Sequence, residues 1–384
     1  MHYSIGMENK TQIIGFDSHR VGVQFDPRKG RGAVSNASGR YEPVKREAFD
    51  DGWDVESGVG TWPEKLKTEV QVEHPKRIIT RNQSPDISFD RSINPYRGCE
   101  HGCTYCFARP SHAYMGLSPG QDFESRLFAK PDAAALLEKE LADARYVPKV
   151  IAIGTNTDPY QPVEKTWRIT RSILEVLERT NHPVGIVTKS AMIQRDIDIL
   201  ARMAEKGLVK VALSVTTLDP KLARSMEPRA ASPARRLETL QALHDAGIPT
   251  AMMVAPIIPA LNDSEIERIL EAGKAVGIDQ AGYVMLRLPL EVRDIFRQWL
   301  LTHYPDRYRH VMSLVKSMRG GKDYDATWGR RMRGSGPYAW MIGRRFEKAC
   351  ERLKIGTKRV ELRTDLFTAP AQQNDQMSLF DLAC

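Results

Sequence analysis

Cys99, Cys103 and Cys106 stand in the segment NPYRGCEHGCTYCFARP with the spacing C-x3-C-x2-C. Three thiolates on one short loop can each take a different iron of a cubane, which leaves the fourth iron without a protein ligand and open to a chelating substrate. Gly98 and Gly102 allow the tight turns that such a loop requires. The alternative is a structural zinc completed by His101 or His112, but sites of that kind usually pair two C-x2-C knuckles and the chain offers no second one. The remaining cysteines are Cys350 and Cys384. An odd total of five, with three inside eight residues, fits a metal or redox site in a reducing compartment rather than a disulfide framework. It also leaves too few thiols for a second iron–sulfur centre.

Regular elements must carry that loop. From about residue 90, apolar runs alternate with helix-period segments, the mark of repeated βα units around a parallel sheet. Runs at 150–153, 184–187, 209–215, 250–258 and 282–286 predict strands, and a first strand falls near 92–95, directly before the cysteines. Between them Ile169, Ile173, Val176 and Leu177, then Ile197, Leu200, Ala201 and Ala204, then Leu237, Leu240 and Leu243 recur at helical spacing. Gly207, Gly247 and Gly277 end three of these helices, as left-handed C′ residues do. About six units predict an α/β fold, a partial (β/α)6 barrel of TIM type rather than a closed barrel of eight. The cysteine loop then lies at the carboxyl-terminal mouth, where βα loops build active sites. Residues 1–77 are expected to be irregular and draped over the core, 78–320 to form the barrel, 321–367 a basic extension with a helix at 339–353, and 368–384 a flexible tail.

The 384 residues are 41% hydrophobic, enough to bury a large core. No run approaches the roughly 18 consecutive apolar residues of a membrane span, and residues 1–10 lack the apolar stretch of a secretory signal, so a cytoplasmic protein without membrane attachment is expected. The net charge of +8 favours an anionic partner, because Lys and Arg that neutralise phosphates release counterions.

The cysteine segment, with Tyr105 in the aromatic position before the third cysteine, resembles the radical S-adenosylmethionine (SAM) superfamily. From about residue 78 to 300 the chain is most similar to its spore photoproduct lyase-like branch, through GTNTDPYQPVEK at the end of the second strand of the barrel. The resemblance implies a [4Fe–4S] cluster on Cys99, Cys103 and Cys106, SAM as cofactor, a 5′-deoxyadenosyl radical as the hydrogen-abstracting species and an external one-electron donor. It further implies SAM contacts from Tyr105, Thr157, Lys189 and Ser214. Asp158, followed by Pro159, reads equally as a ligand or as an Asx turn. Two positions depart from the branch: the matches to its hydrogen-returning cysteine and tyrosine are Thr155 and Phe107, and neither can donate that hydrogen. The reaction class transfers, whereas the spore photoproduct substrate does not.

After the fourth strand of the barrel, SMEPRAASPARRLETL brings Glu227, Arg229, Arg235 and Arg236 near the mouth, with Arg235 the expected ligand of the SAM carboxylate or a substrate phosphate. Ser232 and Pro233 also read as an ordinary helix start with the arginines on its solvent face. Gln376, Leu379 and Phe380 in QMSLFDL resemble the peptide by which bacterial repair and replication proteins dock on the sliding clamp. Arg330, Arg331, Arg333, Arg344, Arg345 and Lys348 could line a face for a nucleic-acid backbone, while Trp328, Tyr338 and Trp340 among them are expected to pack rather than to stack on bases. The combined expectation is a radical SAM enzyme acting on damaged or modified DNA. The rivals are the same chemistry on a protein or small molecule, and a zinc-stabilised nucleic-acid adaptor without catalysis.

Overall fold

The computed structural model describes residues 27–43, 65–357 and 360–371. Ten strands follow in chain order: β1 (Glu69–Val72), β2 (Ile79–Arg81), β3 (Arg91–Ile93), β4 (Tyr96–Arg97), β5 (Arg126–Ala129), β6 (Ile151–Ile153), β7 (Val184–Thr188), β8 (Val209–Ser214), β9 (Thr250–Ile257) and β10 (Gln280–Met285). Seven form one sheet in the order β10-β9-β8-β7-β6-β3-β2. Six of these run parallel and only β2 is antiparallel, pairing with β3 at the edge. The six parallel strands are those expected from the apolar runs, and the sheet is the open α/β barrel core. A right-handed strand–helix–strand crossover requires helices over the outer face, and these occupy Ile169–Arg179, Ile197–Glu205, Pro233–Asp245 and Ile266–Ala275. Gly207, Gly247 and Gly277 adopt φ of 70°, 73° and 86°, so each lets a helix stop and turn into the next strand where a Cβ would be strained.

A second sheet, β1-β5-β4, supports the cysteine loop from outside. β4 ends at Arg97, and the Cys99 amide then donates to the Phe123 carbonyl at 2.9 Å, tying the loop to the segment that becomes β5. Residues 27–43 contain no helix or strand, yet Arg31, Ala33, Val34 and Ser35 are buried, so this segment lies against the core.

The carboxyl-terminal helix spans Gly336–Leu353, starting three residues before its expected position because Pro337 fits the first turn of a helix. Ile342, Phe346, Ala349 and Cys350 on it belong to the same hydrophobic core as the strands, with Phe346 4.7 Å from the Tyr283 ring on β10. The charge expected to form a nucleic-acid face is largely neutralised: Arg331 pairs with Asp86, Arg344 with Glu347, Arg345 with Glu267 and Lys348 with Glu351. The expectation that the interleaved aromatics pack is overturned for two of them. Tyr338 packs on the core and hydrogen-bonds Asp263, but Trp328 and Trp340 are 59% and 69% exposed. Trp340 lies between the buried Ala339 and Ile342 on a helix whose inward stripe it does not share. Among the described residues no helix is long and apolar enough to cross a membrane.

Candidate active site

The cysteine loop runs from β4 to the 3-10 helix Arg109–Met115 at the carboxyl ends of the parallel strands. Gly98 and Gly102 take φ of 72° and 67°. A Cβ on Gly102 would lie 2.7 Å from Glu124 Oε2, and one on Gly98 2.8 Å from the Phe123 carbonyl, so both positions combine left-handed backbone with close approach. Cys99 and Cys103 are buried and Cys106 is half-buried.

A buried ion pair that sequence reading did not find underlies the loop. Arg109 and Glu124 are both fully enclosed, and the guanidinium donates to the carbonyls of Cys103 at 2.9 Å, Pro119 at 3.0 Å, Gly120 at 2.9 Å and Gly102 at 3.1 Å as well as to Glu124. Glu124 in turn accepts from the Gly32 and Ala33 amides at 2.8 Å each. That contact recruits the amino-terminal segment, and a Cβ on Gly32 would come within 1.9 Å of the Gly102 carbonyl oxygen. The only sequence signal for Arg109 is a charge among Phe107, Ala108 and Pro110, and Glu124 has none.

The other side of the loop is braced from β6. Buried Gln161 donates to the Gly98 carbonyl at 3.1 Å and accepts from the Glu100 amide at 2.9 Å. Asp158 accepts from the Tyr160 amide at 2.9 Å, which is an Asx turn, and also from Thr188 Oγ1 at 2.7 Å and the Lys189 amide at 2.8 Å. His101 Nδ1 lies 3.3 Å from the same carboxylate. Burial alone would push the Asp158 carboxyl up; the His101 ring and these donors outweigh it and hold the group at about 2. Asp158 therefore locks three loops together, so the turn reading describes its geometry.

Several residues singled out in the sequence meet in one network. The Tyr105 hydroxyl donates to Glu227, which also accepts from Thr216 Oγ1 at 2.8 Å and pairs with Arg236. Arg236 donates to the Ser214 carbonyl at 2.9 Å and the Ala231 carbonyl at 2.8 Å. Lys189 Nζ lies 5.8 Å from the centre of the Tyr105 ring. Thr157 is buried and donates to the Tyr96 carbonyl at 3.1 Å. Arg229 is paired with the buried Glu100 at 2.7 Å.

Arg235 lies outside this network. Ser232 caps the helix Pro233–Asp245, and the resulting helical phase sends Arg235 to solvent, where it pairs with Glu238, while Arg236, one residue on, faces inward. Arg235→Ala is therefore expected to change stability by no more than about 0.5 kcal/mol in denaturant melts, as exposed pairs do. Arg236→Ala strands the buried Glu227 carboxylate and should cost several times more.

The three thiols suit a group that takes thiolates. Burial pushes the Cys99 thiol well up, aided by Asp158, Cys103 and Cys106, while the Asp158 amide favours its thiolate. Burial likewise pushes Cys103 up, with Lys189 and Arg236 acting in the opposite sense. Held as thiolates, Cys99 and Cys103 in this enclosure would call for a positive centre beside them. The Thr104 hydroxyl between Cys103 and Tyr105 is buried with no hydrogen-bond partner among the described residues. Among the described residues no three His, Cys, Asp or Glu side chains close around a single ion position, whereas a cubane takes each thiolate at a different iron. Of the histidines considered for zinc, His101 contacts Asp158, and His112 is held through Nε2 by the Arg126 carbonyl at 2.8 Å while its Nδ1 has no hydrogen-bond partner among the described residues. Burial lowers the His112 pKa to about 4.

Comparison with known proteins agrees with this arrangement. Residues 93–273 match the family model described as the radical SAM superfamily. An uncharacterized protein of Mycobacterium bovis is 36% identical over 230 residues, covering 59% of this chain and 68% of that protein. An uncharacterized protein of Methanocaldococcus jannaschii is 26% identical over 245 residues, covering 64% of this chain and 87% of that one. Among solved structures, a spore photoproduct lyase superposes with a TM-score of 0.52 at 16% identity, covering 74% of this chain and 79% of the other, and shares its fold. The chain belongs to the radical SAM superfamily of enzymes.

Proposed function

We propose that Cys99, Cys103 and Cys106 hold a [4Fe–4S] cluster, that SAM binds beside it at the barrel mouth, and that the substrate is a nucleic acid, damaged or modified DNA in particular. The observation that carries this reading is the braced loop of three thiols, two buried and one half-buried, clamped by Arg109 and Glu124 from below and by Gln161 and Asp158 from the segment after β6. Held by Cys99, Cys103 and Cys106 and reduced by an external one-electron donor, such a cluster would supply the electron for reductive cleavage of the SAM sulfonium, and with it the means to abstract a hydrogen atom from substrate.

The chain's own residues orient and enclose. Arg109 sets the carbonyls of Gly102 and Cys103, and so the direction of the Cys103 thiol. Tyr105, pinned through its hydroxyl to Glu227, offers an aromatic face beside the Lys189 ammonium, which suits an adenosine and a carboxylate respectively. Ser214, at the end of β8, and Thr157, whose hydroxyl donates to the Tyr96 carbonyl, are the further polar partners in this reading. Arg236, rather than Arg235, supports that wall by holding Glu227. Phe107 and Thr155 carry no transferable hydrogen, so the product radical is quenched by another route than in the lyase branch. Nucleic acid is favoured by the net charge of +8 and by the exposed Trp328 and Trp340.

Anaerobic reconstitution tests this directly. About four irons per chain and dithionite-dependent 5′-deoxyadenosine are expected, while stoichiometric zinc without SAM cleavage would remove the enzymatic reading. Gln376, Leu379 and Phe380 lie outside the described residues; we propose that they dock on a sliding clamp. Deleting residues 372–384 should then abolish capture of the full chain by immobilised clamp, and unchanged capture would exclude the tail.

A further inference from the structure

Two indoles left in water are a cost unless something covers them, and Trp328 and Trp340 flank one short stretch of chain. Residues 327–333 form a run of turns in which Arg330 and Arg333 are exposed. Arg333 lies over the Tyr283 ring at 5.2 Å. Neither Arg330 nor Arg333 has a carboxylate partner among the described residues, whereas Arg331, Arg344, Arg345 and Lys348 are each paired.

This stretch reaches the barrel mouth. The Met285 amide at the end of β10 donates to the Met332 carbonyl at 2.9 Å, and Arg287 Nη1 lies 3.3 Å from Met332 Sδ. The Arg287 guanidinium also sits 4.9 Å from the centre of the Phe107 ring. Phe107 follows Cys106 directly and is 47% exposed. Exposed aromatic surface and unpaired guanidinium groups thus continue from the cysteine loop, through Arg287 and Met332, out to Trp328.

Resting on the nucleic-acid reading above, we propose that residues 327–333 together with Trp340 form a platform for unpaired nucleotides, with bases stacking on Trp328 and Trp340 and phosphates meeting Arg330 and Arg333. A paired duplex hides its base faces and is gripped chiefly through its phosphates. This surface offers accessible aromatic faces and few free cations, the balance suited to single strands. The nucleotide nearest Phe107 is then the one presented at the mouth.

The test is fluorescence anisotropy of the reconstituted full chain with labelled oligo(dT), alone or annealed to oligo(dA), in a series from about 50 to about 200 mM salt. The single strand should bind at least about tenfold tighter than the duplex. Trp328→Ala and Trp340→Ala should each weaken single-strand binding by about tenfold, from the 1–3 kcal/mol that stacking on one aromatic contributes. Trp328→Phe and Trp340→Phe should keep most of the affinity, which separates stacking from misfolding. Arg330→Ala and Arg333→Ala should each lower the salt slope by about 0.7. Wild-type affinity in both alanine variants of tryptophan, tighter binding of the duplex, or a tryptophan effect confined to self-association in light scattering would each overturn the platform. Failure of the wild-type chain to bind any strand, while it still forms 5′-deoxyadenosine, would remove the platform and the nucleic-acid substrate together and leave the radical chemistry standing.

Discussion

Cys103→Ala is expected to abolish 5′-deoxyadenosine formation, lowering the rate by at least about 10³-fold, or about 4 kcal/mol of barrier. A cubane would keep only two protein thiolates, and the remaining loop has no other thiol to offer. The only other cysteine among the described residues is Cys350, buried on the far helix Gly336–Leu353. Its alanine variant is the matched control: it removes a small buried group from the core and should leave iron content and SAM cleavage unchanged. Iron and 5′-deoxyadenosine quantified side by side for the two variants check this. Wild-type iron and turnover in Cys103→Ala would sink the cluster assignment.

Arg109→Met should cost about 3–5 kcal/mol of stability in chemical denaturation and prevent full loading with iron. Methionine roughly fills the space but donates nothing, so the carbonyls of Gly102, Cys103, Pro119 and Gly120 lose a donor and Glu124 becomes an uncompensated buried carboxylate. Arg109→Lys should rescue little, because one ammonium cannot reach five acceptors spread around a planar fork. Glu124→Gln keeps an acceptor for only part of the Gly32, Ala33 and Arg109 donor set and should fall between the two. A stable Arg109→Met protein with four irons would show that the loop holds its shape without the clamp.

Much of the fold was legible because its signals are local. Strand runs, helical spacing and the glycines at 207, 247 and 277 report short-range backbone preferences, and six parallel strands appear where the apolar runs lie. The cysteine loop was legible for the same reason: the three thiols sit within eight residues, and Gly98 and Gly102, each directly before a cysteine, take the left-handed φ that the turns require. The placement of charge was not legible. Arg235 and Arg236 are neighbours in sequence, and only the helical phase set by Ser232 and the packing against β8 separates an exposed side chain from one that holds Glu227.

The sequence by itself determined the order of elements, the class of the fold, the trio of thiols and the family to which the chain belongs. The tertiary structure decided which side chains brace that trio, which arginine turns inward, and which tryptophans stay in water. Contacts such as Gly32 with Glu124 or Arg331 with Asp86 join residues 92 and 245 positions apart. Their partners are chosen by how layers pack and which charges burial obliges to pair, and no local periodicity records that choice.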